Sequence, residues 1–327
     1  MRRFAPTTRP STSAAGSIGG PVLVTGATGF AGSHLVELLS AAHEVVAWGR
    51  AAPGEGLARL ARVQQVDLLD GERVEAAIRD VRPAAVFHCA GLPQVAESWG
   101  DSAAPLAVNV FGTHRLLEAL RLNRVQCRVL VTGSAHVYAP SPVPLKETDP
   151  IGPASPYALS KLAQEALARR AAAEDGIDLV VTRSFNHTGP RQTASFVAPS
   201  IARQVASIER GFQDPTVRVG HLDAVRDIMD VRDTVRAYAA AMASGVSGAI
   251  YNVASGAGRP VHDILDGLVA RARVPVRIES DPARMRPSDI PVLVGDATRL
   301  RETTGWAPRV SFDQMLDDLL EYWRSRP

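Results

Sequence analysis

Cysteine is scarce in this chain of 327 residues: Cys89 and Cys127 are the only two. Each stands beside an apolar, strand-like run, and neither has the spacing of a metal ligand. That argues against a thiolate metal site and for buried structural thiols, in keeping with a reducing cytoplasm. Long apolar runs are missing too; none approaches the ~20 residues of a membrane span. So is any excess of charge. The 36 basic and 34 acidic residues are interspersed and leave a net +2, which implies neither nucleic acid nor an anionic membrane as a partner. There are no internal repeats. Acid is absent from Met1 to Gly20, a stretch rich in Ser, Thr, Arg, Ala and Pro that also lacks the apolar core of a secretory signal. It is weakly like a transit peptide; the expectation for 1–20 is a disordered tail or an over-long start.

What is present is an ordinary globular composition, 46% hydrophobic and 21% charged, with length enough for a core and a second lobe. The organising stretch is Pro21 to Arg50. Pro21-Val-Leu-Val-Thr25 is apolar and β-branched without polar alternation, as in a strand buried on both faces of a parallel sheet. Gly26, Gly29 and Gly32 follow in TGATGFAG, then a helical spacing of Leu35, Val36, Leu38 and Leu39, then a second strand, Glu44 to Trp48. Glycines at such a turn let backbone approach a ligand, and the following helix turns its N–H groups and dipole toward a pyrophosphate. The spacing is Gly-x-x-Gly-x-x-Gly, not Gly-x-Gly-x-x-Gly. Within a βαβ unit it points to dinucleotide binding.

Further strands are expected at Val63–Asp67, Ala85–Cys89, Arg128–Thr132 and Leu179–Arg183, alternating with helices at Arg73–Arg79, Asn109–Leu122 and Tyr157–Ala172. Ser155-Pro156 reads as an N-cap with proline at the first helical position. The alternation predicts an α/β fold: a Rossmann-type doubly wound parallel sheet. After Ser184 the rhythm breaks. A loop at Asn186–Ser200 leads to helices at Ile201–Arg210, Asp230–Met242, Val261–Ala270 and Phe312–Trp323, with a strand at Ala249–Val253 rejoining the sheet. The expected division is a dinucleotide-binding domain at 21–184 plus 226–257, and a smaller, discontinuous substrate lobe at 185–225 plus 258–327.

Tyr157 and Lys161 sit at i and i+4 and share one helix face. Ser134 ends the strand before them. Such a set suits hydride transfer to or from a carbonyl, whose oxygen needs a proton. A free tyrosine, pKa ~10, is a poor acid-base catalyst near neutrality. A nearby ammonium is expected to lower that pKa. Lys161 can also bond a nicotinamide ribose, and Ser134 can orient the substrate oxygen.

TGATGFAG, SPYALSK and the spaced Ser134 resemble the extended short-chain dehydrogenase/reductases that act on nucleotide sugars. The resemblance runs from about residue 21 to 310. Arg183 to Pro190, Phe196 to Ser200 and Arg226-Asp227 are most similar to the GDP-mannose branch, which holds both dehydratases and reductases. Asp230 to Asp233, Tyr251 to Gly256 and Arg284 to Asp289 lean to the reductases. The resemblance implies catalytic Ser134, Tyr157 and Lys161. The expected cofactor-binding residues are Gly26, Thr28, Gly29, Phe30, Gly32, Arg50, Asp67, Leu68 and Ala90 with Tyr157 and Lys161. The expected substrate-binding residues are Ser134, Ala135, Asn186, Arg191, Arg226, Arg286 and Asp289. Arginine suits a diphosphate because its guanidinium grips two oxygens at once.

The dehydratases resembled carry an acid just after the catalytic Ser/Thr. Here the residues are Ala135 and His136. Ala135 takes no proton, so the elimination machinery is expected to be absent. The second strand ends Trp48-Gly49-Arg50 without an acid for a ribose 2′-hydroxyl, which favours NADPH with NAD use left open. The expected activity is reduction of a GDP-4-keto-6-deoxy-mannose to GDP-D-rhamnose. A 4-epimerase, a 4,6-dehydratase and, as a non-enzyme, an NADP-sensing regulator are the rivals. The resemblance implies a homodimer through a four-helix interface of the 109–122 and 157–172 helices, with Leu116, Ala119, Leu162, Ala166 and Ala168.

Overall fold

The computed structural model describes residues 18–326 except 53, 96 and 283–289. Most of the expected tail, together with Arg286 and Asp289, lies outside the described residues. The chain alternates β1 (Val22–Thr25), α1 (Phe30–Ser40), β2 (Val45–Gly49), α2 (Glu55–Leu60), β3 (Arg62–Gln65), α3 (Gly71–Val81) and β4 (Ala85–His88). Next, α4 (Ala103–Pro105) runs through a π-helical stretch, Leu106–Phe111, into α5 (Gly112–Leu122). Then come β5 (Arg128–Ser134), α6 (Pro156–Glu174) and β6 (Asp178–Ser184). The remainder is β7 (Asn186–Thr188), α7 (Val197–Glu209), β8 (Thr216–Val219), β9 (Val225–Asp230), α8 (Val231–Ser244), β10 (Ile250–Val253), β11 (Gly258–Pro260), α9 (His262–Ala270), β12 (Arg277–Ser280), β13 (Val292–Leu293), α10 (Thr298–Thr304) and α11 (Phe312–Arg324).

Seven strands form one parallel sheet in the order β10-β6-β5-β4-β1-β2-β3. Successive side chains on a strand face opposite ways. Val22, Val24, Phe87 and Leu130 therefore pack with α1 and α8 on one face. Leu23, Val86, Val129 and Val131 pack with α3, α5 and α6 on the other. Each such side chain contributes roughly 1.5–3 kcal/mol of apolar burial, which is why these strands read as unbroken apolar runs. Strand order reverses at β1, so a crevice opens beyond the C-terminal ends of β1 and β4, where ligands of such sheets sit. Caps fix the helix starts: Asp70 accepts from Arg73 N at 3.0 Å, Ser155 from Ala158 N at 3.1 Å and Ser311 from Gln314 N at 3.1 Å.

A smaller body builds a separate core from α7, β8, α9 and α11, through Ile201, Val205, Leu265, Leu268, Leu316 and Leu319. Two of its boundaries differ from expectation. β9 pairs with β7, β11 and β13 rather than with the large sheet. Conversely, Ile290, Leu293, Leu300 and Trp306 join the core beneath the large sheet. Trp306 donates Nε1–H to the Asp233 carbonyl at 3.2 Å, and buried Asp233 accepts from Arg309 N and Val310 N, both at 2.8 Å. Those bonds tie the segment around α10 to α8. Ile18, assigned to the tail, packs on the same core.

Candidate active site

The glycine turn is held by close approach. Gly26 has φ +67, and a Cβ there would lie 2.6 Å from Ala90 N. A Cβ at Gly32 would collide with the Gly26 carbonyl. α1 starts after Gly29 with no side-chain cap and no acid in its first turn, so its first N–H groups are left for an anion. Above this turn opens a cleft of 1170 Å³. Gly26, Thr28, Gly29, Phe30, Gly32, Arg50, Asp67, Leu68, Ala90, Ser134, Tyr157, Lys161 and Asn186 all line it. The uncapped helix end and exposed Arg50 at the end of β2 fit a dinucleotide with a 2′-phosphate.

Three expected substrate residues do not line the cleft. Ala135 is fully buried in the core, because the turn after Ser134 directs it beneath the sheet. Arg191, at φ +76, reaches back to α1, where its guanidinium meets His34 Nδ1 at 2.5 Å and Glu37 at 2.7 Å. Arg226 does not line the cleft; it donates to the Val225 carbonyl at 2.9 Å and the Pro291 carbonyl at 3.3 Å.

The catalytic candidates converge at the crevice. Gly133 lets β5 run close to β6; a Cβ there would sit 2.5 Å from the Thr182 carbonyl. Ser134 Oγ accepts from His136 N at 3.2 Å, and Ser134 lies close enough to the Tyr157 hydroxyl to favour its ionised form. Tyr157, in the first turn of α6, donates its backbone N–H to Ser98 Oγ at 3.3 Å. Burial raises the Tyr157 pKa, with Ser134 opposing. This reverses the expected lowering: in the ligand-free chain desolvation outweighs any nearby ammonium and keeps the phenol protonated. Lys161 donates to the Thr132 carbonyl at 2.9 Å, and burial brings its pKa down to about 8.

Three residues in or behind the cleft are absent from the expected catalytic and binding sets. His136 stands edge-on to Tyr157, ring centroids 6.0 Å apart, with its pKa lowered to about 4 by burial and then by Arg226. His187 stacks on Phe30 at 5.7 Å and donates Nδ1–H to the Phe185 carbonyl at 3.1 Å. Asn109, fully buried in the π-helical stretch, accepts from Leu92 N at 2.9 Å and donates to Ser160 Oγ at 2.9 Å, so it ties the cleft loop at 91–95 to α6. An asparagine inside the apolar run Leu106–Phe111 was the one available clue. The far end of the cleft is walled by 193–197 and 218–222 from the smaller body. Among the described residues, no group of three His, Cys, Asp or Glu is placed to hold a metal, and no helix is long and apolar enough to cross a membrane.

Residues 23–319 match the family model described as GDP-mannose 4,6 dehydratase. The chain is 37% identical to a GDP-6-deoxy-D-mannose reductase of Pseudomonas aeruginosa over 93% of its own length and 97% of the relative's. It is 30% identical to a UDP-glucose 4-epimerase of Mycolicibacterium smegmatis, over 93% and 98%. Among solved structures it is similar to RMD from Pseudomonas aeruginosa complexed with NADPH, with a TM-score of 0.83, 34% identity, and coverage of 94% of this chain and 100% of that one. With the glycine turn, the Ser134–Tyr157–Lys161 cluster and a family match spanning nearly the whole sheet and the smaller body, the chain belongs to the GDP-mannose 4,6 dehydratase family of extended short-chain dehydrogenase/reductases.

Proposed function

We propose that this enzyme reduces the C4 ketone of a GDP-4-keto-6-deoxy-mannose to GDP-D-rhamnose, using NADPH in preference to NADH. The observation that carries the reading is the convergence of Ser134, Tyr157 and Lys161 on the lining of the cleft that the glycine turn opens. Its support from relatives is the likeness to the reductase of Pseudomonas aeruginosa and to the NADPH complex. When bound, NADPH supplies the hydride. Tyr157 gives its proton to the ketone oxygen, Ser134 holds that oxygen, and Lys161 favours the phenolate left behind. Gly26, Gly29 and Gly32 with the first turn of α1 hold the diphosphate, and Arg50 the 2′-phosphate. Asn186 and the walls at 193–197 and 218–222 take the sugar nucleotide. Consumption of NADPH with the preformed ketone tests the reading. A 4-epimerase is the second reading, favoured by the likeness to the mycobacterial enzyme; it retains its cofactor through turnover, so release of NADP+ separates the two.

Cofactor choice gives a sharper expectation. Arg50→Ala should raise KM for NADPH about tenfold or more, from the loss of a charge-assisted bond of roughly 1.5–3 kcal/mol. KM for NADH should hardly change. Equal effects on both would place Arg50 away from the 2′-phosphate.

The same proposal includes a division into a dinucleotide-binding domain and a nucleotide-sugar lobe, a cytoplasmic location in keeping with free Cys89 and Cys127, and a homodimer. The proposed interface uses the outward faces of the 109–122 and 157–172 helices. Leu116, Ala119 and Ala168 are buried in their own chain's core, so they pack the helices onto the sheet rather than onto a partner. The outward faces of the same helices expose Phe111 at 59% and Leu159 at 51%, with Leu162 half-buried and Ala166 exposed. Phe111→Glu with Leu159→Glu should therefore convert a dimer to a monomer at micromolar concentration in sedimentation. A wild-type monomer contradicts the assembly; a dimer that survives the double change moves the interface elsewhere.

A further inference from the structure

Lys161 is held from behind by groups outside the Ser134–Tyr157–Lys161 set. Its ammonium has three hydrogens. One goes to the Thr132 carbonyl at 2.9 Å and one to Gln164 Oε1 at 2.8 Å. Gln164 is fully buried on α6 and donates its own Nε2–H to Thr113 Oγ1 at 2.7 Å. The amide therefore cannot turn over without setting an N–H against the ammonium. Thr113, fully buried on α5, donates its hydroxyl to the Asn109 carbonyl at 2.6 Å.

The remaining hydrogens follow by count. With its hydrogen on Asn109, Thr113 Oγ1 accepts from Gln164 and from His88 Nε2, 2.8 Å away. His88 then carries its proton on Nε2, and its Nδ1 accepts from the Thr25 hydroxyl at 2.7 Å. Thr25 Oγ1 accepts in turn from Ala90 N at 3.3 Å. The arrangement needs a neutral imidazole, and burial with Lys161 nearby pushes the His88 pKa down to about 3. The network joins β1, β4, α5 and α6 where they meet at the crevice.

We propose that Gln164, clamped by Thr113 and His88, is a positioning residue for Lys161: its amide oxygen takes one ammonium hydrogen, the Thr132 carbonyl takes a second, and one N–H is left for the ligand in the cleft. The proposal concerns the same lysine to which the reductase reading gives its role, and rests on that reading for its consequence in turnover. A core filler of the same shape would leave the charge on Lys161 untouched. An acceptor favours the ammonium, its loss favours the amine, and a carboxylate favours the ammonium more strongly.

The titratable groups around Lys161 are His88 of β4, Cys89 just past that strand and Tyr157 four residues earlier on α6, with Tyr238 of α8 beyond Cys89. Burial pushes Cys89 up to about 12 and raises both tyrosines, so none of these titrates near pH 8. Glu165, next along α6, is committed to Arg183 at 2.6 Å.

The chain's two lysines make a direct test available, since protein labelled with 13Cε-lysine shows only Lys161 and the exposed Lys146. In the ligand-free protein, Gln164→Glu should raise the Lys161 midpoint by about one unit or more, and Gln164→Met should lower it by about one. The high-pH limb of kcat/KM on the ketone should move the same way in each variant. If the methionine variant does not fold, as judged by thermal unfolding, the glutamate variant decides alone. An unchanged midpoint in the folded variants overturns the proposal. The titration needs no substrate, so its outcome stands apart from the reductase reading, which fails instead if wild-type protein leaves the ketone unreduced.

Discussion

Replacing Tyr157 by phenylalanine should lower kcat by roughly two to four decades, the range of a lost acid-base catalyst, while cofactor and sugar nucleotide still bind. The ring is buried against His136, and phenylalanine keeps it. Only the hydroxyl is lost, at a stability cost of about 1 kcal/mol, so the variant should fold. Single-turnover reduction with saturating ligands reads the chemical step, and quenching of protein fluorescence by NADPH reads binding. The pH profile adds a check. A phenol whose pKa burial raises is protonated across neutrality, so Tyr157 sets no limb there. Lys161, brought down to about 8, is an ammonium below that pH and an amine above it. The kcat/KM of wild-type enzyme for NADPH, which reports the free enzyme, should therefore fall as pH rises through about 8. Turnover near wild type in the phenylalanine variant would remove Tyr157 from the mechanism.

The parts of the fold that were legible are those where side-chain chemistry and burial agree. β1, β2, β4, β5 and β6 are sandwiched by helices, and their apolar runs say so. Ser155 and Pro156 announce α6 because a cap is a local device. The inward face of α6 was hidden for the opposite reason. Ser160, Lys161, Gln164 and Glu165 are all buried, each bonded to a distant element, so hydrophobic periodicity does not mark that face. Asp227 is a similar case. It reads as half of an Arg-Asp pair, yet it is fully buried and accepts from Ser255 N and Gly256 N, both at 2.9 Å. Strands of two or three residues such as β11 and β13 carry no pattern of their own; pairing with β9 defines them. Arg191 shows the limit of a motif. The resemblance implied a substrate contact for it, while a left-handed turn carries its guanidinium to α1.

The enzyme should oxidise NADPH with the preformed GDP-4-keto-6-deoxy sugar and leave GDP-mannose unchanged, although the family model it matches is described by the dehydratase. The difference is one of proton inventory. Reducing a ketone takes one hydride and one proton, and Tyr157 holds that proton. Converting GDP-mannose to the 4-keto-6-deoxy sugar also needs the C5 proton removed and the C6 hydroxyl expelled as water, which calls for another acid-base group. Ala135 is apolar and faces the core, which leaves His136. Burial acts on an imidazole with the opposite sign to a carboxylate. A buried carboxylate becomes a stronger base because protonation neutralises it; a buried imidazole becomes a weaker one because protonation charges it. His136, lowered to about 4 with Arg226 adding to the effect, is on the unfavourable side of that comparison. Incubation of the two sugar nucleotides side by side, in GDP and UDP forms, with absorbance at the NADPH band and product mass spectra, gives the answer. A 4-keto product from GDP-mannose alone would mean that His136 performs the elimination and that the enzyme is a dehydratase. A ketone that leaves NADPH unoxidised in both nucleotide forms would remove the reductase reading and put the 4-epimerase in its place.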